Sequence, residues 1–416
     1  PFFYFVLVKI MSFIGIINPF TWAFFLRLLS SLAGFASLIS LYAVYAGTIR
    51  TIIWNRLLFI LISTLWFIPY IHARTSSENL SSSFFILGMA ILLHYSKAKE
   101  KIPPVWAILS GLLAGFSFSF RFQMGFPVML VFFWVLLYGN ISYKGLFLYA
   151  ASIIFTLIFM FLVDCWGYGE FVFTPWNYLR ENIINNRVSD FGVMPWWGYF
   201  KLIAIKGIPP ISVPLMLLVG FYWIKHWKEA ITWASLGFFI VHILIGHKEL
   251  RFLNFIYLLS PYLACFAYRD LAEKYQWLRG KWAVRVAVFS CVINVILLVV
   301  MVFKPAYTPL GAYRFIYDNV PSNTTILGFD SQGKSPKLQL AFFRKSGVKI
   351  LPWNPVEDIP PEGWVISTRY MEYQKMKKMS GCRNRYSTYP EWIFRFDFGR
   401  WTERSSIWTI WKCKSQ

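Results

Sequence analysis

Within GHKELRF, residues 246–252, the side chains of His247, Lys248, Glu249 and Arg251 crowd together between the apolar runs AITWASLGFFIVHILI and FLNFIYLLSPYLACFAY. A charge held at membrane depth costs about 2.5–3.5 kcal/mol on insertion scales, so such a cluster needs water, a partner or an anionic ligand. A lipid-linked phosphate suits these residue types. Lys248 offers a point charge, Arg251 a fork of donors and His247 a further donor, while Glu249 orients a cation. On a helix, His247 and Arg251 lie one turn apart and would grip one phosphate together. A plainer account is a juxtamembrane basic cluster whose side chains snorkel to lipid headgroups.

Other residues with chemical potential fall in three further polar segments. The stretch DCWGYGEFVFTPWNYLRENIINNRVSDFGVMPWWGYF, from Asp164 to Phe200, is long and dense in aromatics. Connections of that length are usually binding elements or lids. Trp166, Trp176, Trp196 and Trp197 offer faces on which a sugar stacks, and Asp164, Asn177 and Asn182 offer hydrogen bonds to hydroxyls. An interfacial aromatic belt accounts for the same composition without a ligand. In HARTSSEN, 72–79, Arg74 and Glu78 are four residues apart and predict a local ion pair, with Ser76 or Ser77 as a helix N-cap. Arg121 and Gln123 of RFQMGF stand at the end of another apolar run.

The elements between these segments are membrane helices by composition. Of 416 residues, 57% are hydrophobic and only 14% charged, and the mean hydropathy is +0.51, which excludes a soluble domain. Apolar runs predict helices near 21–47, 57–71, 82–95, 104–119, 126–139, 145–163, 206–223, 229–245, 252–268 and 283–303. Residues 2–17, interrupted by Lys9, read as an interfacial helix. In lipid every backbone amide must be satisfied within its own segment, so the expected fold class is an α-helical polytopic bundle.

The connections alternate in chemistry. One set is basic and plain: Arg50 and Arg56; Lys97, Lys99 and Lys101; Lys144; Lys225 and Lys228; Arg269, Lys274, Arg279 and Lys281. The positive-inside rule puts these on the cytoplasmic side, and the four polar segments above then share the opposite face. Beyond residue 303, TTILGFD, GVKILPW and GWVISTRY read as strands and YRFIYDN and RYMEYQKMKKM as helices. Residues 1–303 are therefore expected to form the membrane domain and 304–416 a small α/β domain outside the cytoplasm.

The net charge of +22 is spread through short loops rather than gathered on one face, which argues against nucleic acid as a partner. The cysteines, Cys165, Cys265, Cys291, Cys382 and Cys413, have no metal-binding spacing, and no metal is expected. Cys382 and Cys413 either pair in the tail or remain two free thiols. Asn79-Leu-Ser and Asn323-Thr-Thr are glycosylation sequons.

HKELRF at 247–252, RTSSE at 74–78, and FTPWNYLRENI with FGVMPWWGYF together resemble the glycosylphosphatidylinositol and asparagine-linked glycan mannosyltransferases of glycosyltransferase family 22. The order and separation of Asp164 to Tyr178, Pro195 to Phe200 and His247 to Phe252 match that family's pattern over most of residues 1–268. The resemblance implies a GT-C type bundle of about ten transmembrane helices. It also implies inverting transfer of a hexose, mannose first, from a polyprenyl-phosphate donor to a glycan or glycolipid acceptor on the non-cytoplasmic face, without nucleotide or other cofactor. On this reading His247, Lys248 and Arg251 contact the donor phosphate and Glu249 orients them. Asp164, Trp176, Asn177, Trp196, Arg74 and Arg121 then serve the sugar and acceptor.

The family's catalytic base lies in an acidic P-D-E or D-E loop after a first helix, whereas the first acidic residue here is Glu78. The expectation is a partial product that lacks the base, with Glu78 and Asp164 as fallbacks. The tail resembles bacterial lipid-linked sugar transferases, so a bacterial inner membrane is favoured and the endoplasmic reticulum is the alternative. The rival functions are a transporter or flippase for a lipid-linked sugar, and transfer of glucose or aminoarabinose instead.

Overall fold

The computed structural model describes residues 2–47, 49, 51–303, 307–329, 336–353 and 362–414. Pro1, Arg50, Asp330 and the expected domain start at residue 304 lie outside the described residues. The helices of the first three hundred residues are α1 Phe2–Phe13, α2 Pro19–Ala46, α3 Ile52–Thr64, α4 Phe67–His72, α5 Ser77–Ala98, α6 Pro104–Phe120 and α7 Gly125–Tyr138. They continue with α8 Tyr143–Tyr168, α9 Thr174–Leu179, α10 Gly198–Lys206, α11 Pro209–Lys225, α12 Ala230–Leu244, α13 Asn254–Lys274 and α14 Lys281–Phe303. Every predicted apolar run is helical. Among the described residues five helical segments are long and apolar enough to cross a membrane, namely Pro19–Ala46, Ser77–Ala98, Tyr143–Tyr168, Leu250–Lys274 and Lys281–Phe303.

One predicted helix, 57–71, is two. Pro69 has no N–H for the Leu65 carbonyl and its ring crowds that carbonyl, so the chain turns out of α3 at Leu65 before α4 begins. Asn294 of α14 repairs the break: its amide donates to the Thr64 carbonyl at 2.8 Å and its oxygen accepts from the Trp66 N–H at 2.9 Å. Pro261 inside α13 leaves the Tyr257 carbonyl without its helical donor, and the Ser260 hydroxyl takes that place at 2.8 Å. In a low-dielectric surround each unsatisfied peptide group would cost several kcal/mol, so these polar side chains are what permit broken helices.

Helices α6 and α8 pack face to face through Gly111 and Gly115, a small-xxx-small stripe that lets backbones approach. A Cβ at Gly111 would overlap the Tyr149 carbonyl, and one at Gly115 would overlap Thr156. Serine hydroxyls stitch α6 to α5, with Ser110 donating to the Gly88 carbonyl at 2.9 Å and Ser117 to the Ser81 carbonyl at 2.7 Å.

Compact units fall at Phe25–Val302 and at Pro1–Phe24 with Phe303–Gln416, so the N-terminal residues group with the tail rather than with the helix bundle. Within that second unit Phe20 lies 5.7 Å from the Tyr317 ring and 5.0 Å from Phe343. The tail is α/β as expected: α15 Leu310–Asn319, β1 Thr325–Phe329, β2 Lys349–Trp353, β3 Gly363–Ser367, α16 Tyr370–Lys378, β4 Cys382–Ser387, α17 Trp401–Arg404 and β5 Thr409–Cys413. The sheet order is β2-β1-β3-β5-β4, with β1, β2 and β3 parallel and β5 antiparallel to both its neighbours. Ile326, Val365, Ile366 and Ile410 are its fully buried centre. Cys382 and Cys413 face each other across β4 and β5 and form a disulfide, settling the alternative left open by the sequence.

Replacing Gly111 with leucine should separate α6 from α8 at a cost of about 1–3 kcal/mol or more, as overpacking does. Thermal unfolding of the detergent-solubilised protein should show a clear drop for Gly111→Leu and none for a leucine at Gly220, where a Cβ meets nothing.

Candidate functional site

The four polar segments singled out in the sequence converge. Arg121, at the end of α6, pairs with Glu78 in the first turn of α5 at 2.8 Å, both side chains being about nine-tenths buried. Its guanidinium also lies 5.1 Å from the Phe252 ring of HKELRF. Gln123 donates to the Tyr178 hydroxyl and Phe122 packs edge-on to the same ring at 5.5 Å, which ties RFQMGF to the aromatic loop. The far end of that loop closes on HKELRF, with Met194 N–H donating to the Gly246 carbonyl at 2.9 Å and His247 Nδ1 3.1 Å from the Gly192 carbonyl.

The connections of the basic set also bond among themselves. Lys97 pairs with Glu229 at 3.5 Å, Ile102 N–H reaches the Asn140 carbonyl, and the nearly buried Asp270 gathers Lys225, His226 and Arg269. Contacts thus link connections within each of the two chemical sets.

Several expected roles change. Glu78 pairs with Arg121 and not with Arg74. The Arg74 guanidinium instead stacks over Tyr70 at 4.8 Å, while its carbonyl accepts from Asn79 at 3.1 Å. Asn79, fully buried, also donates to the His72 carbonyl and meets His72 Nδ1 at 3.3 Å, so its sequon is closed to modification. Gly34 of α2 makes room for that histidine, since a Cβ there would overlap the imidazole. Ser76 is the N-cap, accepting from Asn79 N–H at 3.2 Å.

HKELRF is an extended turn into a short 3-10 helix, Leu250–Leu253, not the α-helical turn on which His247 and Arg251 would flank one ligand. Glu249 brings them together instead. Its carboxylate accepts from His247 Nε2 at 3.0 Å and from Arg251 through Nε at 2.5 Å and Nη2 at 3.1 Å. Each His247 ring nitrogen faces an oxygen, that of Gly192 on one side and that of Glu249 on the other. Burial pushes the Glu249 carboxyl up, but the bonds from His247 and Arg251 outweigh it and its pKa is lowered.

Lys248 turns inward, only 5% exposed, and caps the end of α12 by donating to the Ile243 carbonyl at 2.9 Å and the Ile245 carbonyl at 2.5 Å. Burial lowers its pKa, and its ammonium lies 5.4 Å from the Tyr199 ring. Lys248 therefore holds a helix terminus, which corrects its expected role as a phosphate contact.

A cavity of about 370 Å³ opens beside this cluster. Its lining is apolar and aromatic, with Trp66, Tyr70, Phe200 and Tyr257 among it, and carries three cations, Arg74, Lys206 and Arg251, with no carboxylate. Of the residues singled out in the sequence, Arg74 and Arg251 line it. Glu78, Arg121, His247 and Glu249 are not in the lining, though Glu249 bonds its Arg251, and Trp196 packs on its Phe200 at 6.4 Å. Asp164, Trp176 and Asn177 are not brought to it: Asp164 accepts from the Thr174 hydroxyl, and the Trp176 ring is half exposed. Lys206 was missed. Its signal was an isolated cation at the edge of an apolar run on the same face as HKELRF. Among the described residues no group of His, Cys, Asp and Glu has the geometry to hold a metal ion.

Residues 1–324 match the model of the Alg9-like mannosyltransferase family. The chain belongs to that family. Similar curated members include GPI alpha-1,2-mannosyltransferase 3 of Danio rerio, 29% identical over 28% of this chain and 21% of that protein. GPI mannosyltransferase 3 of Candida albicans is 27% identical over 49% of this chain and 39% of its own length. Mannosyltransferase APTG1 of Arabidopsis thaliana is 24% identical over 59% and 44%. The chain thus spans less than half the length of each of these relatives. The crystal structure of ArnT from Cupriavidus metallidurans bound to undecaprenyl phosphate shares the fold, with TM-score 0.52 at 9% identity over 94% of this chain and 84% of that one. This Alg9-like chain is accordingly an integral membrane protein with the GT-C fold.

Because the Glu249 carboxyl is held below its ordinary value of 4.5, it stabilises the folded Alg9-like chain above that pH. The contribution is lost as pH falls through the lowered folded value. Acid unfolding should therefore begin at a higher pH in Glu249→Gln than in wild type, with the two melts converging only at the acid end. Coincident acid profiles would contradict the clamp.

Proposed function

We propose that this chain acts as a membrane mannosyltransferase, moving a mannose residue from a polyprenyl-phosphate donor to a glycan or glycolipid acceptor on the non-cytoplasmic face. One observation carries the reading: an otherwise apolar cavity with Arg74, Lys206 and Arg251 in its wall and no acidic group to repel an anion. Such a cavity suits a ligand that is mostly hydrocarbon and carries one phosphate. As the glycosidic bond breaks, negative charge accumulates on the leaving lipid phosphate, and fixed cations in a water-poor site stabilise that change most. Glu249 holds Arg251 in one orientation through a bidentate contact, so the guanidinium is set before the donor arrives. Membership of the family and the mannosyltransferase names of the relatives supply the sugar.

The acceptor hydroxyl must lose a proton as it attacks, a task for a carboxylate. Of the two fallback carboxylates, Glu78 pairs with Arg121 and Asp164 accepts from the Thr174 hydroxyl, and neither lines the cavity. For the membrane we favour the bacterial inner membrane over the endoplasmic reticulum. The fold shared with the Cupriavidus protein runs through the C-terminal α/β unit, beyond the end of the family match. The disulfide Cys382–Cys413 supports a periplasmic or lumenal tail, since such bonds persist in oxidising compartments.

Alanine at Arg74, Lys206 or Arg251 should each cut transfer from polyprenyl-phosphate mannose by about 100-fold, the scale of losing one charge-stabilising donor. Membrane insertion should be retained. Unchanged turnover in all three variants would rule out the cavity as the donor site. For sidedness, a cysteine introduced at the exposed Asp190, with Cys165 and Cys291 replaced by serine, should react with an impermeant maleimide from outside intact cells. Labelling only after the cytoplasmic side is opened would invert the topology.

A further inference from the structure

The C-terminal unit holds three large aromatic rings outward on one short loop. Trp392 is 61% exposed, Phe396 54% and Phe398 82%, and the rings run in series with 6.3 Å between consecutive centroids. The loop is built, not frayed. The Asp397 carboxylate accepts from Thr402 N–H at 3.0 Å and from its hydroxyl at 2.9 Å. The Trp401 indole donates to the Phe396 carbonyl at 2.9 Å, and Arg404 donates to the Gly399 carbonyl at 2.6 Å. Between the exposed rings Phe394 turns inward against Tyr370 and Tyr373, at 5.2 and 5.1 Å. Polar groups are thus spent on fixing the backbone while apolar surface stays uncovered, the mark of a contact surface.

We propose that this loop is a membrane-docking element: Trp392, Phe396 and Phe398 enter the bilayer interface, and the exposed Arg395 and Arg400 lie at the level of the lipid phosphates. The chemistry beside the rings selects lipid over sugar. A sugar platform offers carboxylates and amides to hydroxyls, but here Asp397 is taken by Thr402 and Glu391 by Lys377. The guanidinium groups that alternate with the rings match phosphodiesters instead. The basic excess of the tail, 18 Lys and Arg against 9 Asp and Glu in residues 304–416, adds attraction to an anionic leaflet. A lipid surface is also within reach of the chain. Candidate span α14 ends at Phe303 and α15 begins at Leu310, and the six residues between them, seven Cα–Cα steps, extend to at most about 25 Å. Aromatic residues with flanking arginines are the usual occupants of that interface.

The test uses the full chain reconstituted into vesicles of phosphatidylcholine with alkyne-tagged phosphatidylglycerol, with benzoylphenylalanine in place of Phe398. A second variant carries it in place of Lys349, exposed on β2 at the opposite edge of the sheet. Illumination should give a lipid adduct on the Phe398 variant several-fold above that on the Lys349 variant, with Cys382–Cys413 formed in both as a check of folding. Lipid adducts at equal levels in the two variants would overturn the proposal. So would adducts at Phe398 that are only to protein or to an added mannose oligosaccharide.

Discussion

A peptide group that cannot reach water must find its partner nearby, and the architecture follows from that rule. Regular helices meet it over most of Phe25–Val302. Where prolines interrupt them, Asn294 and Ser260 supply the missing bonds, so the breaks at Leu65 and Pro261 become usable shape rather than damage. Lys248 obeys the same rule. The last carbonyls of α12 lack helical donors and the lysine ammonium fills the gap, drawn inward by two oxygens. With that terminus fixed, Glu249 emerges at a set point and can hold His247 and Arg251 at once.

Much of this was legible beforehand. Hydropathy located every long helix, and loop charge separated two groups of connections that do meet among themselves. In the tail, β1, β2 and β3 followed from β-rich runs bounded by glycine, proline and aspartate, and α15 and α16 from the helical stretches between them, whereas β4, β5 and α17 were not read from the sequence. What was not legible depended on contacts between distant segments. Arg74 and Glu78 have ideal local spacing, yet Arg121 from the next helix offers Glu78 a closer and more buried partner. The role of Lys248 turns on where α12 ends, since a shift of a few residues would have freed its ammonium. Pro69 was in plain view within the run 57–71, but the averaging that finds apolar windows hides a single imino acid.

Glu78 and Glu249 are both engaged by cations. Glu78 holds Arg121 and Glu249 holds Arg251, and of those two cations Arg251 stands in the wall of the cavity, which carries no carboxylate of its own. A carboxylate outside the lining, Glu249, keeps the Arg251 guanidinium ordered.

The sheet of the tail has its own timetable. Strand β5 is last in sequence but sits between β3 and β4, so those two have no common neighbour until residue 413 has emerged. The parallel half, β2-β1-β3, is earlier in sequence, and its β3 edge is the one that β5 covers. Cys382 on β4 likewise has its disulfide partner, Cys413, only on β5. Completion of the sheet therefore depends on β5, the last of its described strands.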